Sequence, residues 1–171
     1  MKILKIVFFL VILTLSIAFT AKKEFEWNKI VPMETTREEV EKLFGKGKEI
    51  GTDEVRYDLK EGILIVNYSD GVCESDDEED WNAQTGLVLN LEFNFEDLKD
   101  FGKFGIDKTK LKKNSLGECT PQLKEYVDEE KGISYELFEK EEDSLGEVQS
   151  IKKFPTKEFE FLRCDKFLKG E

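Results

Sequence analysis

Apolar residues recur along this chain at two different periods, and each change of period marks the end of an element. Val40, Leu43 and Phe44 fall at i, i+3 and i+4, on one face of a helix. They follow Thr36-Arg37-Glu38-Glu39, where Thr36 serves the Glu39 amide and Glu39 reaches back as a capping box. The pattern predicts a helix of about two turns, with Pro32 keeping its approach extended and Gly45 supplying a left-handed stop. Two turns are not stable alone, so this helix must lie on a sheet.

A period of two then takes over. Val55, Tyr57 and Leu59 alternate up to a break at Lys60-Glu61-Gly62, and Ile63 to Val66 resumes the apolar run as far as Tyr68, which predicts a β-hairpin. Leu87, Leu89, Leu91, Phe93 and Phe95 alternate with Val88, Asn90, Glu92 and Asn94, giving a strand with one buried and one wetter face. Residues 96–122 hold no clean period; Phe101, Phe104, Ile106 and Leu111 offer apolar surface for a packed loop or a degenerate helix. From Leu123 the alternation returns as a hairpin (Tyr126–Asp128 and Ile133–Phe138) and a strand over Gly146–Phe154, stopped by Pro155.

These elements define an α+β fold, a short helix packed on an antiparallel sheet. Lys60-Glu61-Gly62-Ile63 and Glu130-Lys131-Gly132-Ile133 occupy the same place in their hairpins. Two tandem helix-sheet halves, 27–95 and 96–164, would account for that; so would chance likeness between ordinary hairpins.

The first residues carry a different pattern. Lys2 and Lys5 precede an apolar run from Ile6 to Leu13 and a small-residue exit at Ser16–Ala18, the arrangement of a secretory signal peptide spanning 1–21. Ala18 and Ala21 compete as the cleavage point, an uncleaved anchor is the alternative, and residues 22–171 form a single exported domain, periplasmic or extracellular.

Charge and composition narrow the chemistry. The 171 residues carry a formal charge of -12, moving to about -14 once Lys2 and Lys5 leave with the signal. Such a balance argues against nucleic acid and anionic membrane surfaces as partners, and the expectation is a monomer with a protein partner not defined by the sequence. The chain has no His, which excludes Ser-His-Asp and Cys-His relays and His-ligated zinc. No cofactor or catalytic set is expected, although carboxylate chemistry survives.

Three cysteines remain, and an oxidising compartment should close one pair. Cys73 with Cys164 is the expected disulfide, because the tail around Phe161–Cys164 has little else to hold it; Cys119 pairing with either, or three free thiols, are the alternatives. Carboxylates in Glu74–Asp80 alternate, and Asp76, Glu78 and Asp80 are a calcium candidate, against the plainer reading of a solvated acidic loop. The spacing is not that of an EF-hand, since loop position twelve, counting Asp76 as the first, is Leu87. Trp27, Tyr68, Trp81 and Asn82 are candidate binding residues, with Trp27 and Pro32 more simply a lid over the helix and Trp81 more simply a cap on the core. Tyr68, Ser69, Gly71 and Cys73 would line a cleft with Glu74 if carboxylate catalysis operates.

Trp27-x-x-Ile-Val-Pro, Thr36-Arg-x-x-Val-x-x-Leu-x-Gly45, Tyr68-Ser-x-Gly-x-Cys73, Trp81-Asn82 and Leu162-Arg-Cys164 together resemble a family of small uncharacterised exported bacterial proteins. That resemblance implies secretion and a shared fold, and no activity. Thr36–Gly45 followed by strands is similar to the helix-sheet unit of BamE/SmpA and of beta-lactamase-inhibitor-protein-like folds. The chain departs from BamE in having no lipobox Cys. The functional expectation is a non-enzymatic binding or envelope-assembly module; an inhibitor of an extracellular enzyme and a His-free carboxylate hydrolase are the alternatives.

Overall fold

A computed structural model describes residues 26–71, 73, 81–116, 120–141 and 144–167. The expected signal peptide with Ala18 and Ala21, the calcium candidate Asp76, Glu78 and Asp80, Glu74, and Cys119 lie outside the described residues.

The helix forms where the capping box places it. Helix α1 runs Arg37–Phe44, with the Thr36 side chain accepting from the Glu39 amide and the Glu39 carboxylate accepting from Thr36 N at 2.8 Å. Gly45 ends it at φ 82, ψ -172, a region open to glycine rather than the αL conformation expected there. The approach is also not extended. Thr35 N donates to Val31 O at 2.9 Å and Met33 adopts φ 65, so residues 31–35 form a turn, pinned by Met33 N donating to Val88 O at 2.7 Å.

Among the described residues, eight strands make one antiparallel sheet: β1 Lys48–Glu49, β2 Glu54–Leu59, β3 Gly62–Tyr68, β4 Val88–Asp100, β5 Lys112–Ser115, β6 Leu123–Asp128, β7 Ile133–Phe138 and β8 Glu147–Lys153. Their order is β1-β2-β3-β4-β8-β7-β6-β5, two four-stranded meanders joined where β4 pairs with β8. The predicted hairpins and the strand before Pro155 are all present. The stretch 96–122 is not one loop. It extends β4 to Asp100, makes 3₁₀ turns at Phe101–Phe104 and Lys108–Lys110, and contributes β5.

The predicted alternation of β4 holds only beyond Leu89. Asn67 pairs with Asn90 but Tyr68 pairs with Val88, so Leu89 is an extra residue that inverts the faces. Val88 is therefore fully buried with Leu91, Phe93 and Phe95, and Leu89 is only half-buried.

The core lies on one face of the sheet. One cross-strand row runs Tyr57, Leu64, Phe93, Ile151, Tyr135, Tyr126, and all six are buried. Trp27 stacks on Phe93 with ring centroids 5.2 Å apart, Val40 of α1 is fully buried, and Phe101 meets Tyr135 edge-on at 5.6 Å. The tail is closed by the Cys73–Cys164 disulfide, as expected from the sequence. Trp81 bridges to Arg163 and Asn82 N donates to Leu162 O at 2.7 Å, which fastens the same tail a second time.

Candidate functional site

Two sides of the sheet differ in what they offer. On the side away from the core, residues of alternate parity carry polar side chains linked across strands. Lys152 reaches Glu136 at 2.8 Å and Glu92 at 3.7 Å, and Ser150 donates to Glu136 at 2.8 Å. Asn67 donates to Asn90 at 2.6 Å and Asn114 to Glu125 at 3.1 Å, so the ladder runs into both meanders. Burial works against the Lys152 charge, and Glu136, Glu92 and Glu125 outweigh it, holding its pKa above the ordinary lysine value.

Charged groups also enter the core side: Lys153 lies over the Trp27 ring, and a larger cluster sits in the second meander. In the first meander, Tyr57 is covered by Phe44 of α1 at 5.9 Å. In the second meander the tyrosine of the same row is Tyr126, and only two 3₁₀ turns precede that meander. Its ring is covered instead by the ammonium groups of Lys108 at 4.6 Å and Lys113 at 5.7 Å. Beyond Leu137 the inward parity passes to Glu139, which is 5% exposed. The Glu139 carboxylate accepts from Lys108, from Tyr126 at 2.6 Å and from Lys113 at 3.5 Å, while Lys108 also donates to Ser144 O at 2.5 Å.

Electrostatics fix the ionisation of this cluster. Burial alone would push the Glu139 carboxyl up, but Lys108 and Tyr126 donating to it, with the charges of Lys108 and Lys113, draw it below the usual carboxylate range. Burial and the hydrogen bond to Glu139 push the Tyr126 hydroxyl up, and the neighbouring Tyr126 and Glu139 raise Lys113. Glu139 is thus an acceptor and a poor general acid. Beside it opens a cleft of ≈ 480 Å³ lined by Lys113, Pro121, Gln122, Lys124, Glu139, Lys140 and Glu141.

The residues singled out in the sequence are not gathered at this cleft. Trp27 is 2% exposed, and Lys153 Nζ lies 5.6 Å from its ring while donating to Asn28 O at 2.8 Å and Ile30 O at 3.0 Å. Tyr68 is buried against Tyr57, hydroxyl to hydroxyl at 3.1 Å, with Arg37 over its ring. Ser69 is buried too, donating to Ala83 O at 3.0 Å and accepting from Gly71 N at 3.1 Å. Trp81 and Asn82 are half-buried against the tail. Among the described residues no group of three or more His, Cys, Asp or Glu is arranged to hold a metal ion.

Fold and site together describe a single-sheet α+β protein with a locked charge cluster beside an open cleft. Comparison of the chain with protein-family models, with curated proteins and with solved structures found no match.

Proposed function

We propose that the protein is an exported binding module that works without catalysis. The observation supporting this reading is the locked ionisation of Glu139. A carboxylate held by Lys108, Lys113 and Tyr126 presents fixed charge to the cleft, whereas acid–base chemistry needs a group whose proton is free to leave and return near the working pH. Fixed, pre-ordered polar groups favour recognition, because little side-chain freedom is lost when a ligand arrives.

Export is part of the proposal. The disulfide between Cys73 and Cys164 is of the kind that persists in oxidising compartments, in keeping with an N-terminal secretion signal and with the resemblance to small exported proteins. The order of strands, identical when read from either edge toward the β4–β8 seam, supports a duplicated ancestor with one four-stranded meander per copy. Gly62 and Gly132 add to this. A Cβ on either would meet a backbone carbonyl, Asn94 O in β4 at 2.0 Å or Phe154 O just past β8 at 2.2 Å.

The test is capture from envelope and secreted fractions on the immobilised protein, with a Glu139→Gln variant in parallel. Specific retention of a ligand or protein that is lost with the variant is the expected result. Turnover of a substrate, abolished by Glu139→Gln in a protein that remains folded, would replace the reading with an enzymatic one.

A further inference from the structure

We propose that the cleft beside Glu139 binds a single carboxylate group between the ammonium groups of Lys113 and Lys124. The inference rests on the binding-module reading and gives it a ligand chemistry. Register and parity place the two lysines. Lys113 on β5 pairs with Tyr126, and Lys124 on β6 pairs with Ser115, so they are diagonal neighbours on adjacent strands. Both share the inward parity, Lys113 with buried Tyr126 and Lys124 with buried Leu137, its partner on β7. Diagonal neighbours stand about 7–8 Å apart, a gap that two lysine side chains close around one small anion.

Local charge selects the kind of anion. Glu139 is already taken by Lys108 from beneath the cleft, and Lys140 at the rim pairs with Glu147 at 3.0 Å. Lys124 makes no ion pair with a described residue, and Lys113, 3.5 Å from the Glu139 carboxylate and over the Tyr126 ring, stands at the edge of the locked cluster. Among the described residues, what remains facing the cleft is Lys113 and Lys124 against the rim carboxylate of Glu141, an excess of one positive charge. That balance suits a monoanion. A phosphate dianion would exceed that single positive charge, and lysines act on anions as point charges without the paired fork that arginine offers a phosphate.

The remaining lining fits a carboxylate carried on a slim stem. The Gln122 side-chain amide supplies a neutral donor, Pro121 an apolar contact, and a volume of ≈ 480 Å³ leaves room for a stem behind the carboxylate. Such a group belongs either to a free short-chain acid or to the C-terminus of a peptide.

The experiment is a titration of ¹⁵N-labelled protein, recovered after expression of the full chain, followed by amide chemical shifts. Four probes are used: butyrate, N-acetylalanine, N-acetylalaninamide and inorganic phosphate. Saturable shifts at Gln122, Lys124 and Lys140 are expected with butyrate or N-acetylalanine, and whichever binds more tightly identifies the source as free acid or chain terminus. Lys124→Gln should weaken that binding roughly tenfold, and Lys124→Arg should largely retain it. Absence of saturable shifts with both carboxylates overturns the inference. Equal binding of the carboxamide, or tighter binding of phosphate, overturns the carboxylate while leaving a binding module standing. The binding-module reading fails separately, through turnover in the capture experiment. Because the probes are compared on the unmodified protein, a variant that does not fold leaves the outcome decided.

Discussion

Lys153 is the residue whose charge is most at odds with its surroundings. Burial draws its pKa from 10.5 down to about 8, although its ammonium donates to two carbonyls of the segment Glu26–Ile30. The folded value lies below the unfolded one, so between about 8 and 10.5 the unfolded chain binds the extra proton and stability rises with pH. Below about 8 the cost of burying the charge is present in full. An NMR titration of the Lys153 Cε should show a midpoint near 8, and a midpoint at the ordinary lysine value would refute the buried environment. Gly62 makes a second residue-scale test. Its φ of 156 and the 2.0 Å approach of Asn94 O leave no room for a side chain, so Gly62→Ala should cost at least about 1–3 kcal/mol in urea unfolding. Gly45 has a positive φ but nothing within 4 Å of its Cβ position, and Gly45→Ala should cost less.

Among elements, α1 shows most directly how sequence becomes stability. Thr36→Ala removes a cap whose carboxylate partner then has only the backbone to hold, and should lower stability by about 1 kcal/mol, read as a shift in the denaturation midpoint. That helix, both hairpins and the last strand were legible because each is amphipathic at a single period. β4 was only partly so. The extra residue Leu89 changes which face is buried, and an apolar side chain on both faces conceals such a bulge in the sequence. β5, reading Lys-Lys-Asn-Ser, carries no apolar alternation at all, since it is an edge strand and charged edges resist pairing with other chains. The candidate cleft was missed for a related reason. Lys108 lies in an aperiodic turn far from Glu139, and only long-range folding brings them together. One signal did exist: Tyr135, Leu137 and Glu139 share a parity, so a carboxylate continued a core row.

Across the whole molecule, the disulfide carries the largest single constraint. Cys73 and Cys164 are 91 residues apart, and in the chain-entropy account a loop of that length contributes about 4–5 kcal/mol. Cys164→Ser should therefore lower unfolding stability by about 2–5 kcal/mol, and dithiothreitol should reproduce the loss in the unmodified protein. An unchanged denaturation curve under reduction would mean that the Trp81–Arg163 bridge and the Asn82–Leu162 hydrogen bond hold the tail unaided.

The β4–β8 seam has a consequence for how the chain reaches this state. Strands β1 to β4 pair in the order in which they are synthesised, but the free edge of β4 waits for β8, where Leu91 meets Lys153 and Asp100 meets Glu147. During that interval a 13-residue strand rich in Leu and Phe lies unpaired along one side. The same edge fits β8 of a neighbouring molecule, which competes with the chain's own β8 when chains are concentrated. Crowded, newly made chains thus have a route to exchanged dimers, and dilution during refolding favours the monomer.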